Sequence, residues 1–175
     1  MKNSTKMNKN FTNPEFIPYG TNSEMDKLVD SENYHDRIYS AKHKYALDRL
    51  VNDEDPEVRA TVAEQGYGLD KLVNDKYWYV RKAVAEQGCG LDILINDESS
   101  LVRIKVAEQD YGLDILINDE YWEVREAVAR QGYGLNKLIN DSDVDVRRSV
   151  ENYLNCYNKH IEEWEIEFPE RVVKE

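Results

Sequence analysis

An all-α fold of stacked helical repeats, an α-solenoid, is predicted by three observations in this 175-residue sequence. Leucine recurs at Leu47, Leu69, Leu91, Leu113 and Leu135, a step of 22 residues, and Met25 stands one step earlier. The phrase LDKLVND of residues 69–75 returns as LDRLVND, as LDILIND twice and as LNKLIND. The phrase VRATVAEQGYG of residues 58–68 returns as VRKAVAEQGCG, VRIKVAEQDYG and VREAVARQGYG. Six units follow without insertion: 25–46, 47–68, 69–90, 91–112, 113–134 and 135–156. Self-similarity at a short fixed period marks units that bury their apolar faces against one another rather than alone.

Unit two shows why each element forms. Leu47, Leu50 and Val51 are spaced i, i+3, i+4, one apolar stripe on a short helical turn, and Asn52-Asp53 end it. The Asn column (Asn52, Asn74, Asn96, Asn118, Asn140) reads as the stop of the short helix, a place where Asn tolerates left-handed geometry. Asp55 reads as an N-cap and Pro56 as the first residue of a longer helix, where its missing N–H costs nothing. That helix runs to about Gln65, with Val58 and Val62 on one face, and Gly66 is the expected left-handed residue after it. Tyr67-Gly68 turns the chain into the next Leu. The turn column Tyr45, Tyr67, Cys89, Tyr111 and Tyr133 supplies an apolar contact around the cap.

The end units depart from the pattern. In unit one Asp36 and Ser40 replace the two valines and Lys44 replaces the Gly. Unit six has Glu151-Asn152-Tyr153-Leu154 where the turn should be, which predicts a second helix continuing to about Trp164. Residues 1–24 form an N-terminal tail or cap, with Phe11, Phe16 and Ile17 available to pack on unit one. Residues 157–175 form a C-terminal cap or an acidic tail, and Trp164, Ile166 and Phe168 favour the cap.

The phrase D-x-x-x-x-V-R-x-x-V-A, seen from Asp53 to Ala63, followed by a turn and L-x-x-L, resembles the leucine-rich repeat variant and HEAT-like families over residues 25–156. The resemblance implies a short, often 3₁₀, helix alternating with an α-helix in an array that coils right-handed. The 22-residue unit is shorter than that of the variant family. The iron–sulfur module of some members is not implied, because Cys89 and Cys156 are the only cysteines. HEAT-like DNA glycosylases need a basic concave face, which this composition opposes.

The net charge of −12 excludes a plain nucleic-acid binder and an anionic-membrane binder, both of which need clustered Lys and Arg. No apolar run suggests a signal peptide or a membrane span, and two unpaired cysteines suit a reducing cytoplasm. A mean hydropathy of −0.77 fits a thin core exposed on two faces. No nucleophile motif, phosphate loop or metal-ligand spacing occurs, and His35, His43 and His160 lie at opposite ends. The chain is therefore expected to be neither an enzyme nor a cofactor binder.

Four sets of residues stand out. Arg37, Arg59, Arg81, Arg103, Arg125 and Arg147 form a column, as do Asp53, Asp75, Asp97, Asp119 and Asp141. Their repetition in nearly every unit favours an Asp–Arg ladder, between or within units, that satisfies loop amides; the sharper reading is a bidentate anion site. Asp48, Asp70, Asp92 and Asp114 stand at the start of the short helices, where they either complement the helix dipole or form an acidic ridge with a carboxylate about every 10 Å. Glu64, Glu86 and Glu108 add a parallel row. Finally, Asp-Pro-Glu at the start of the long helix in unit two becomes Tyr77-Trp78-Tyr79 in unit three and Tyr121-Trp122-Glu123 in unit five. Exposed Trp and Tyr are the residues most enriched in binding hot spots, while the structural reading is that the rings staple the neighbouring loop.

Two functions are carried forward. The first is a non-enzymatic protein-interaction module that holds a protein partner against one repeat face through Tyr77, Trp78, Tyr79, Tyr121 and Trp122, with acidic flanks from Asp48, Asp70, Asp92 and Asp114. The second is an acidic nucleic-acid-mimicking inhibitor of a nuclease or other DNA- or RNA-binding enzyme, in the manner of phage-encoded anti-restriction or anti-CRISPR proteins. In that case Asp48, Asp70, Asp92 and Asp114 are the site.

Overall fold

The computed structural model describes residues 22–167, with side chains for 23–159. These residues form twelve α-helices and no strand. They are α1 (Asn22–Val29), α2 (Tyr34–Lys42), α3 (Leu47–Leu50), α4 (Pro56–Glu64), α5 (Leu69–Leu72), α6 (Trp78–Glu86), α7 (Leu91–Leu94), α8 (Ser100–Glu108), α9 (Leu113–Leu116), α10 (Trp122–Arg130), α11 (Leu135–Leu138) and α12 (Val144–Glu167). From α3 onward, short helices start every 22 residues, as the leucine register predicts. Each long helix packs against the next: α2 on α4, α4 on α6, α6 on α8, α8 on α10 and α10 on α12. Each short helix touches the long helices flanking it in sequence. None of the described helices is long and apolar enough to cross a membrane.

The core follows from the apolar periodicity. The valine pairs Val58/Val62, Val80/Val84, Val102/Val106, Val124/Val128 and Val146/Val150 are fully buried, and Leu50, Leu72, Leu94, Leu116 and Leu138 close the layer from the short helices. Each such side chain contributes about 1.5–3 kcal/mol on burial. Met25 is buried with them, and α1 begins three residues before it, so the first unit opens on an eight-residue helix. Ser40, in a valine position, is buried with its hydroxyl unpaired, a local cost at the edge of the row.

The turns correct one expectation. The Asn residues after the short helices are not left-handed. Those helices wind down through right-handed residues such as Val73 (φ −56°), with Asp75 N–H donating to Leu72 O at 3.0 Å. The left-handed positions belong to the other turn. Gly66 and Gly68 have φ of 76° and 63°, and the Tyr67 N–H reaches back to Val62 O at 3.3 Å in a Schellman closure. The second glycine also permits close approach: a Cβ on Gly90 would lie 2.4 Å from Val73 Cγ2. Lys44, Ala46 and Asp110 occupy left-handed positions without being glycine.

The expected continuation of the last helix is seen in α12, which runs without a break to Glu167. Phe11, Phe16, Ile17 and Phe168, and the side chains of Trp164 and Ile166, lie outside the described residues.

Candidate protein-binding surface

The surface rests on a ladder of buried ion pairs that joins consecutive units. Arg103 Nε and Nη2 donate to Asp119 Oδ2 and Oδ1 at 2.6 and 2.8 Å, while Arg103 Nη1 donates to the backbone carbonyl of Asp97 at 2.7 Å. Arg37–Asp53, Arg59–Asp75, Arg81–Asp97 and Arg125–Asp141 repeat the arrangement. Both readings of the ladder's direction are therefore satisfied at once. The guanidinium reaches a loop carbonyl of its own unit, Ser31 for Arg37 and the ladder Asp for the others, and the next unit's Asp through the carboxylate. Hydrogen bonding to those carboxylates holds the arginines above their ordinary pKa against the opposing effect of burial. These five arginines are joined to protein partners, so the anion-site reading loses their donors; Arg147, in the last unit, donates among the described residues only through Nη1 to the carbonyls of Asp141 and Ser142.

The same Asp sets the loop that follows. Asp75 Oδ1 accepts the Tyr77 N–H at 3.0 Å and Asp119 Oδ1 accepts the Tyr121 N–H at 2.9 Å. This places Tyr77 and Tyr121 at the N-caps of α6 and α10. In unit two the equivalent Asp55 caps its helix by accepting the Glu57 N–H at 2.8 Å. Tyr77 and Tyr121 make no such bond, so those helix ends forgo a cap typically worth about 1 kcal/mol.

The aromatic side chains separate into two roles. The Tyr77 ring lies over Arg59 Cζ at 5.8 Å and the Tyr121 ring over Arg103 Cζ at 5.5 Å, each covering the ladder rung of the unit before it. For the two tyrosines the staple reading therefore holds in part, although both remain exposed. Trp78 covers no rung. It is 41% exposed and meets Tyr79 edge-to-face at 5.7 Å. Tyr79, half-buried, sits between Trp78 and Tyr77. Burial, the Glu57 carboxylate, Tyr77 and Asp55 push the Tyr79 phenol above its usual pKa. Trp122 departs from the expectation of an exposed pair: it is partly buried against the core, although it holds the same first-turn position in α10 that Trp78 holds in α6. The aromatic surface is thus centred on unit three, with Leu101 exposed in the next unit at the register of Tyr79.

Asp48, Asp70, Asp92 and Asp114 lie in the first turns of α3, α5, α7 and α9, all exposed, and none forms an ion pair among the described residues. In the parallel row, Glu86 pairs with Lys82 and Lys105, and Glu108 with Lys105. The described residues contain no group of three or more His, Cys, Asp or Glu placed to hold a metal.

The short helices carry a pattern not singled out from the sequence. Their third residues read Arg49, Lys71, Ile93, Ile115 and Lys137. Three of these are cations that bond back to the preceding unit: Arg49 to Asp30, Lys71 to Asn52 and Lys137 to Asn118. The repeat alignment held the signal, in the replacement of a cation by Ile in two consecutive units.

No protein-family model matches this chain, and a search of curated proteins finds no similar sequence.

Proposed function

We propose that the units form a right-handed α-solenoid of six 22-residue repeats whose function is non-enzymatic: it holds a protein partner against the aromatic surface of unit three. Trp78 is the centre, flanked by Tyr77 and Tyr79, with Tyr121 and Trp122 two units away. The observation that carries the reading is Trp78 itself. A large indole stands 41% exposed at a helix start where unit two has Pro56, in a loop that forgoes its cap. An exposed indole at a helix start that gives up its cap fits a binding anchor, because burying such a ring in a partner returns about 2 kcal/mol or more.

Affinity capture with the wild-type chain beside Trp78→Ala tests this. Loss of the captured partner with an unchanged melting temperature supports it. Retention of the partner, or a large drop in melting temperature, refutes it.

The second reading, an acidic mimic that blocks a nucleic-acid enzyme, is favoured by the exposed and unneutralised Asp48, Asp70, Asp92 and Asp114. Its binding should weaken steeply between low and high salt and be indifferent to Trp78→Ala, whereas an aromatic-centred contact should barely respond to salt.

A further inference from the structure

We propose a second docking surface on the short helices of units four and five, which takes a basic amphipathic segment of a protein partner. Ile93 and Ile115 are 50% and 55% exposed at equivalent positions of α7 and α9. One exposed Ile is ordinary, but two in register on consecutive units form an apolar pair about 10 Å apart. They stand where units two, three and six carry a cation that bonds back to the preceding unit. Asn74 and Asn96 hold the register of Asn52 and Asn118, the acceptors of Lys71 and Lys137. Neither side chain has a hydrogen-bond partner within units four and five in place of that cation. Ile115, Asn96, Asn118, Asp119 and Glu120 line an open cleft between the two units.

Charge decides the occupant. Asp92, Asp114, Glu98 and Glu120 are exposed around the pair. The cations of units four and five are engaged elsewhere: Arg103 with Asp119, Arg125 with Asp141, Lys105 with Glu86 and Glu108, and Arg130 with Glu126. Glu98 is met by Arg81 at 3.1 Å, but Asp92, Asp114 and Glu120 form no ion pair among the described residues, and an apolar pair bracketed by these three carboxylates complements a segment with apolar side chains on one face and Lys or Arg beside them. A partner's Lys would take on Asn96 the place that Lys137 takes on Asn118. A second copy of this chain does not fit, because the same acidic ridge would meet itself on a molecule of net charge −12. None of these residues belongs to the aromatic surface, so the two sites are tested separately.

The probe is a fluorescent amphipathic helical peptide of Leu and Lys, with a shuffled peptide of the same composition that has no apolar face. Binding is read by anisotropy to the full chain, to Ile93→Gln/Ile115→Gln, which preserves charge, and to Trp78→Ala. The expected result is binding of the amphipathic peptide that weakens about tenfold or more in the double variant and stays within about twofold in Trp78→Ala. Equal binding of the shuffled peptide, equal binding to the double variant, or no binding overturns the proposal. If the double variant loses its helical circular dichroism, hydrogen exchange of the wild type with the peptide decides instead. Added protection at residues 91–96 and 113–118 supports the proposal, and protection elsewhere overturns it.

Discussion

Asp119→Ala should be among the most damaging single substitutions in the chain. It removes the carboxylate that accepts two N–H groups of Arg103 at 2.6 and 2.8 Å, leaving the guanidinium with backbone acceptors on Nη1 alone. The two side chains are 10% and 7% exposed, so water replaces the lost carboxylate poorly. Stranding one partner of a buried pair costs about 3–5 kcal/mol. The residual exposure favours the lower end, and the Tyr121 N–H loses its acceptor as well, for about 1 kcal/mol. A loss of about 3–4 kcal/mol is expected, a large share of the roughly 5–15 kcal/mol that holds a domain together. The neighbouring rung supplies the control. Arg81 pairs with Asp97 in the same geometry, but its Nη2 also lies 3.1 Å from Glu98 Oε1, on an 83% exposed side chain free to take over. Asp97→Ala should therefore cost about 2 kcal/mol, less than Asp119→Ala. Urea unfolding followed by circular dichroism measures both. An Asp119→Ala loss under about 1 kcal/mol, or an Asp97→Ala loss as large as that of Asp119→Ala, refutes the argument that both pairs act as buried charges and that only Arg81 has a second carboxylate within hydrogen-bond distance.

Gly90→Ala should destabilise by about 3 kcal/mol, from the left-handed backbone and the 2.4 Å approach to Val73 Cγ2, as read by thermal melting. Lys44→Gly should do the reverse and raise stability by about 0.5–1 kcal/mol, because Lys44 holds φ 57° with a side chain that disfavours it. Acid should loosen the Arg59–Asp75 and Arg125–Asp141 rungs. For Asp75, burial opposes ionisation, but the hydrogen bonds from Arg59 and the Tyr77 N–H prevail and the pKa is lowered; for Asp141 the Arg125 hydrogen bond leads the lowering. The unfolded chain then binds the proton more readily. The stability from these pairs is present above about pH 4 and is lost as pH falls through the lower folded values. Unfolding curves between neutral pH and pH 3 should show that decline, and Asp75→Asn/Asp141→Asn should flatten it.

The all-helical row and its 22-residue register were legible because each unit repeats the same local physics. Leu at the short helix, a Val pair on the long one and Gly after it are each dictated by burial or backbone geometry, and repetition multiplies the signal. The ladder was legible as two columns but not as a direction. Asp53 is six residues before Arg59 and sixteen after Arg37, and only the three-dimensional stacking shows that its carbonyl serves the first and its carboxylate the second. The aromatic site was legible as a departure from the repeat, while its division was not. Tyr77 and Trp78 are adjacent, yet one covers Arg59 and the other reaches solvent, because successive residues at a helix start project in different directions. The left-handed Lys44 was legible only through the register, which puts it in the place of Gly66, because its residue type does not announce a conformation that its neighbours impose.

The ladder also explains why the loops above it can vary. Once Arg59 and Asp75 fix the entry to α6, with the Tyr77 N–H bound by Asp75, the side chains of residues 77–79 are not needed to hold the turn. Unit two fills the equivalent positions with Asp55-Pro56-Glu57, which cap and start the helix; unit three fills them with three aromatics that do neither. The ridge of short helices shows the same freedom, since Leu94 and Leu116 hold the core while Ile93 and Ile115 beside them do not. In both places a buried element carries the fold and an exposed neighbour departs from the repeat toward apolar character. A departure that gives up a cap or a cation bridge while exposing hydrophobic surface runs against stability and solubility together. Two such departures, in the loop of unit three and on the short helices of units four and five, are what the proposed recognition of a partner would account for in a repeat whose other positions are set by packing.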